Sequence, residues 1–202
     1  MKNEAVRVLQ SAAVALMLTA SVFAQNDKSV IVVVNPGGSS WADGEFADRL
    51  NAVIAEHNGI EIADAEDARE LMDLSKGRFD KQQAIDQGIA SSNRYVLWCD
   101  IKKEEMRIEK GFSFPFIARQ RRVTAHMEIE YRIVDCQRGK LVSSEKLKMK
   151  SHGPSTMQYL DFTDADPNLY LSYGERKELF DKLEIEAADK LTAVFAEVAR
   201  QR

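Results

Sequence analysis

The chain has 202 residues, 45% of them hydrophobic and 30% charged, with a formal net charge of −4. That length fits one domain with a sizeable core, and the mild acidity gives no global pull toward nucleic acid or anionic lipid. Two cysteines, Cys99 and Cys136, and three scattered histidines, His57, His126 and His152, lack the spacing of a zinc site, so neither a metal nor a cofactor is expected.

Residues 1–24 have the three parts of a secretory signal. Lys2 and Arg7 make a short basic start, residues 12–20 are mostly apolar, and Ser21-Val22-Phe23-Ala24 offers a cleavage site. The apolar run, broken by Thr19 and Ser21, is shorter than the ~20 residues that span a bilayer. Gln25 stands where a lipoprotein signal requires cysteine. Cleavage after Ala24 is therefore expected, without a lipid anchor. It leaves residues 25–202 as a single domain of net charge about −5, in the periplasm or outside the cell. No later segment is apolar enough to span a membrane. An oxidising compartment permits a Cys99–Cys136 disulfide; two unpaired thiols, with Cys99 buried, are the simpler expectation.

Residues 29–35, Ser-Val-Ile-Val-Val-Val-Asn, predict a strand buried on both faces, because no polar residue alternates with the apolar ones. Pro36-Gly37-Gly38-Ser39-Ser40 breaks it. Asp43 then caps a helix carrying Phe46, Leu50, Val53 and Ile54 on one face, which Asn58-Gly59 stops. Residues 60–63 predict a short strand. Asp64 or Asp67 caps a helix with Ala68, Leu71, Met72 and Leu74 inward, and a further helix over 80–90 turns Ala84, Ile85 and Ile89 inward.

Residues 94–101 are a second apolar strand, continuing into a charged arm over 102–110 that reads as a solvated strand face. Residues 111–116 are expected as a turn or loop. In residues 123–135, Val123, Ala125, Met127, Ile129, Tyr131 and Ile133 alternate with polar residues, the pattern of a half-exposed antiparallel strand. A turn at 136–140 leads to a partner strand over 141–149. Residues 151–173 show no period and are expected as a long, rather apolar surface loop. A closing helix over 175–199 has Leu179, Leu183, Ala187, Leu191, Val194, Phe195 and Val198 in one stripe. The order β-α-β-α-α-β-β-β-α predicts an α/β (α+β) domain, a mixed sheet of about five strands flanked by helices with a long projecting hairpin.

Three stretches carry a resemblance. They are Ala84-Ile85-Asp86-Gln87-Gly88 leading into Tyr95-Val96-Leu97-Trp98, the hairpin Tyr131 to Val142 with Asp135 and Gly139 around its turn, and the final helix. Together they resemble a superfamily of bacterial envelope proteins. It includes the curli secretion-channel subunit (CsgG-like), the lipoprotein activator of a peptidoglycan synthase (LpoB-like) and the N-terminal domain of TolB. The likeness covers residues 29–200. It implies an anticodon-binding-domain-like fold and work through envelope protein partners without a shared catalytic site. The chain departs from the lipoproteins at Gln25, has no room for the propeller of TolB, and puts charge on both faces of residues 102–105, against a membrane-crossing strand.

Two candidate sites follow. Phe112, Phe114 and Phe116 alternate at the hairpin tip, followed by Arg119, Arg121 and Arg122. They form a partner-binding patch, unless the rings fold back to seal the end of the sheet. Alternatively Gly37, Gly38, Ser39 and Ser40, between a buried strand and a helix, form an anion-binding turn. They resemble the opening of butyrate-kinase-type enzymes, although no GxxxxGK[ST] is present. His152 beside Ser151 and Ser155 lacks the context of a hydrolase, and Asp161, Asp164 and Asp166 lack the glycine and glutamate of a calcium loop. The expected job is non-catalytic, in envelope assembly, secretion or cell-wall regulation. Exposed sheet edges leave homo-oligomerisation open. N-terminal sequencing of the exported protein should read Gln25 first; an intact Met1 in a membrane fraction would overturn the export reading.

Overall fold

The computed structural model describes residues 28–37, 45–57, 59–114, 118–159 and 171–200, with backbone only at 110–114, 118–119 and 156–159. The elements are β1 (Ser29–Asn35), α1 (Glu45–Glu56), β2 (Glu61–Ile62), α2 (Ala65–Leu74), α3 (Lys81–Ala90), β3 (Tyr95–Phe114), β4 (Ala118–Asp135), β5 (Lys140–Tyr159) and α4 (Tyr173–Arg200). They form the expected mixed sheet of five strands, in the order β2-β1-β3-β4-β5. β1 is parallel to β2 and β3, while β3, β4 and β5 run antiparallel in turn.

β1 explains the layers. Val30 and Val32 pack on one side with Phe46, Leu50 and Ile54 of α1 and the α4 stripe. Ile31 and Val33 pack on the other with Leu71 of α2 and Ala84 and Ile85 of α3. A strand apolar on both faces needs a cover on each. From Val123 to Ile133 one face of β4 is apolar, and all six residues of this expected inner row are buried. α1 and α4 are further joined by charge. Arg49 reaches Asp181 (2.9 Å) and the buried Glu184 (3.5 Å), and Lys177 reaches Glu45 (2.9 Å).

Several boundaries differ from the sequence reading. β3 runs through Phe114 and β4 begins at Ala118, so the expected turn over 111–116 is mostly strand. β5 continues to Tyr159 where a loop was expected from Ser151. Its Ser-His-Gly-Pro-Ser stretch has weak strand propensity, but the long alternating β4 offers a ladder. Gly153 and Pro154 sit at a register shift, where such residues are tolerated. Leu74 and Ile89, expected inward, are 53% and 61% exposed. The buried face of α3 runs through Ala84, Ile85, Gln87 and Gly88, and Ile89 lies well round the helix from it. Asp80 caps α3, accepting from the Gln82 and Gln83 amides, whereas Asp64 occupies the α2 cap position without a side-chain bond. Asp43 and the loop over 160–170, with its three aspartates, lie outside the described residues. No described helix is long and apolar enough to cross a membrane.

The glycine in the last turn of α3 has a steric cause. A Cβ on Gly88 would stand 2.3 Å from the Sγ of Cys136 and 3.0 Å from its Cβ. The turn after β4 thus presses directly on α3. Asp135 shapes that turn by accepting from the Arg138 amide (3.0 Å), and Gly139 takes φ +62 there. Gly88→Ala should cost about 1–3 kcal/mol in urea unfolding through overpacking; adding Cys136→Ala should recover part of the loss.

Candidate functional site

The three antiparallel strands outrun their helices. Around Ile108, Val123 and Gly153 the core ends, with Val123 buried beside Leu171 and Leu179. Beyond it the ladder continues to Phe114 opposite Ala118, and Ala118 opposite Tyr159. Six further residues of β3 add roughly 20 Å of arm.

Alternation distributes the candidate residues along this arm. Arg121 shares the buried row of Val123 and is 4% exposed, while Arg122 points the other way and is exposed. The three arginines therefore do not form one cationic surface, and Arg121 belongs inside. The cause is the period of two along a strand. Arg119 lies opposite Ser113 and Phe114 opposite Ala118, with a register shift between Lys110 and Ser113 in the stretch that holds Phe112. Phe116 lies outside the described residues.

The face of the arm away from α4 is polar and internally neutralised. Glu105 pairs with Lys103 (2.9 Å) and with Arg107, and Glu128 takes Lys146 and Lys148 from β5 at 3.7 and 3.6 Å. Burial, and then the Arg107 charge, push the His126 imidazole below its ordinary range. His152 meets Thr124 (3.2 Å) and Glu109 (3.8 Å) rather than either neighbouring serine.

Where this polar face meets α2 and α3, it closes on a cluster that the sequence reading missed. Asp100 ends the apolar part of β3 beside Asn35 and is only 4% exposed. Asn35 Nδ2 donates to Asp100 Oδ1 (2.9 Å) and to the Gly77 carbonyl (2.8 Å). Arg132 Nη1 donates to Asp100 Oδ2 (2.9 Å), Lys102 Nζ lies 3.2 Å from the same oxygen, and Glu130 engages Arg132. The Arg132 guanidinium sits 4.8 Å over the Phe79 ring, which meets Trp98 edge-on at 5.9 Å. Burial alone would raise the Asp100 carboxyl, but the Trp98 indole, Asn35, Arg132 and Lys102 turned toward it hold it below the usual carboxylate range. The indole acts here as an oriented dipole, since its Nε1 has no partner at bonding distance. The only hint in the sequence was an aspartate directly after Trp98-Cys99.

This cluster fills the carboxyl ends of the parallel strands, where open α/β sheets often hold ligands. The adjoining turn is packed onto it. Gly37 has φ +60, and a Cβ there would stand 2.2 Å from the Ile101 carbonyl. Its amide donates to Asn35 Oδ1 (3.2 Å) and so serves the turn itself. Gly38, Ser39 and Ser40 lie outside the described residues. Cys99 and Cys136 are free and buried. Burial pushes both thiols up, Cys136 to about 12, which makes them poor nucleophiles. Among the described residues, no three His, Cys, Asp or Glu side chains group as a metal site.

No family model matches the chain, and no curated protein matches it. Solved structures are similar at low identity. A hypothetical protein from Chlamydia trachomatis gives a TM-score of 0.48 at 11% identity, covering 85% of this chain and 95% of that one. A putative neuraminyllactose-binding hemagglutinin homolog from Helicobacter pylori gives 0.48 at 13%, covering 86% and 91%. The LpoB C-terminal domain from Salmonella enterica gives 0.38 at 14%, covering 61% and 83%.

A carboxylate held below its ordinary pKa stabilises the fold above its unfolded pKa, and that contribution is lost as pH falls through the folded value. Asp100→Asn should therefore lower stability at pH 7 by about 1–3 kcal/mol, leaving the Arg132 guanidinium with Glu130 alone as its carboxylate partner. It should also flatten the acid limb below about pH 4. Urea titrations from pH 2 to 7 would check both.

Proposed function

We propose that the chain is an exported, non-catalytic protein of the bacterial cell envelope. On this reading it acts through protein contacts made at the end of its three-stranded arm, in assembly, secretion or cell-wall regulation. The observation that supports it is the arm itself: β3 and β5 of 20 residues and β4 of 18, against a usual strand of about 5–6. Strands that run past their core bury little there, so the extension is better explained by what it reaches than by what it stabilises. Phe112, Phe114, Phe116, Arg119 and Arg122 are the proposed contact residues, with Arg121 as an internal brace. The signal-like residues 1–24 support export, and the resemblance of the sequence to envelope proteins supports the class of partner.

The mature protein should capture a defined envelope protein from native membrane and periplasmic fractions. Phe112→Ser with Phe114→Ser should abolish that capture while shifting Tm by less than about 3 °C. Undiminished capture, or a collapse of Tm, would assign the rings to the fold and sink the contact reading.

A further inference from the structure

β2 is too short to cover β1. It pairs only Ser29 and Val30 of the strand, and the last bond to it runs from the Ala63 amide to the Val30 carbonyl (2.9 Å). Along a strand, alternate residues turn both backbone groups to the same side. Val32 and Val34 thus present their N–H and C=O groups in the lane that β2 has left, while Ile31 and Val33 face β3. Among the described residues no bond to these groups is found on that side.

The lane is a groove of about 250 Å³, with Val32 and Val34 in its floor, Asp48 and Asn51 of α1 on one wall, and Asp64 and Ala68 on the other. The Asn51 Oδ1 atom is buried there without a partner. Arg69 is the one basic residue along the groove. Acidity prevails at the first turn of α2: burial, then the charges of Asp64, Glu70 and Glu66, push the Asp67 carboxyl upward. The walls are helices, so a second sheet cannot stack there.

We infer that the free edge of β1 between α1 and α2 is a docking lane for a short, extended, basic peptide segment of a partner protein, added to the sheet beside Val32 and Val34. Backbone pairing supplies the attachment, Asn51 an additional acceptor, and Asp48 and Asp64 the preference for flanking lysine or arginine. The site is separate from the arm and does not depend on what the arm contacts.

The test is amide exchange and chemical shift on the mature chain. The probe is the capped peptide Lys-Val-Thr-Val-Lys, together with mixtures carrying Ala, Ser, Thr or Val at the three central positions. In the free protein, the Val32 and Val34 amides should exchange far faster than those of Ile31 and Val33. Peptide should slow them about tenfold or more. N-methylation of the central residues should weaken binding about tenfold, as expected for losing one or two bonds. Glutamate in place of the lysines should also weaken it. Ala68→Phe should remove the response and leave Ile31 and Val33 protected. Three results would overturn the inference. Protection already present in the free chain would mean that a segment of the chain itself fills the lane. Protection that rises with protein concentration would mean that a second copy does. No change with any peptide at millimolar concentration would mean that the lane takes no strand.

Discussion

A strand that is apolar on both faces must be covered twice, and most of this architecture follows from that demand by β1. Val30 and Val32 need α1 and α4; Ile31 and Val33 need α2 and α3. The second cover is short. α2 and α3 have ten residues each, enough to shield Val96 and Trp98 of β3 and Val134 at the end of β4, but not the rest of the antiparallel strands. The polar row of β4 begins where that cover ends, and the Asp100–Arg132 cluster seals the border between dry and wet sheet. Its charges are affordable because each has an opposite charge or an oriented dipole within reach.

The element order and the inner residues of the sheet were legible in the sequence because each rests on a local period: none for β1, two for β4, three to four for α4. What was not legible depends on partners distant in the chain. The end of β5 has poor intrinsic strand character and is strand because β4 extends beside it. The exposure of Ile89 follows from which side of α3 meets Cys136, a contact made across 48 residues. Arg121 read as one of three equivalent arginines; only the register of β4 places it in the buried row. Asn35 and Asp100 are 65 residues apart and meet only because β1 and β3 are parallel neighbours.

Two of the three stretches that carried the resemblance meet in the folded chain. Gly88 from the first and Cys136 from the second are in contact, and Asp135 holds the turn that makes the contact. Neither residue reads as functional by itself. Each is required by the closeness of α3 to the β4–β5 turn, which is how two weak sequence signals come to report a single packing constraint.

The lysines on β5 also say something about how copies of this chain meet. If two β5 edges paired antiparallel about Leu147, Lys146 of each would lie opposite Lys148 of the other, on the face they share. Glu128 beneath them offsets only part of that charge. Among the described residues no strand pairs with the outer edge of β5, and its lysines act as a deterrent against growth of that edge into a continuous fibre.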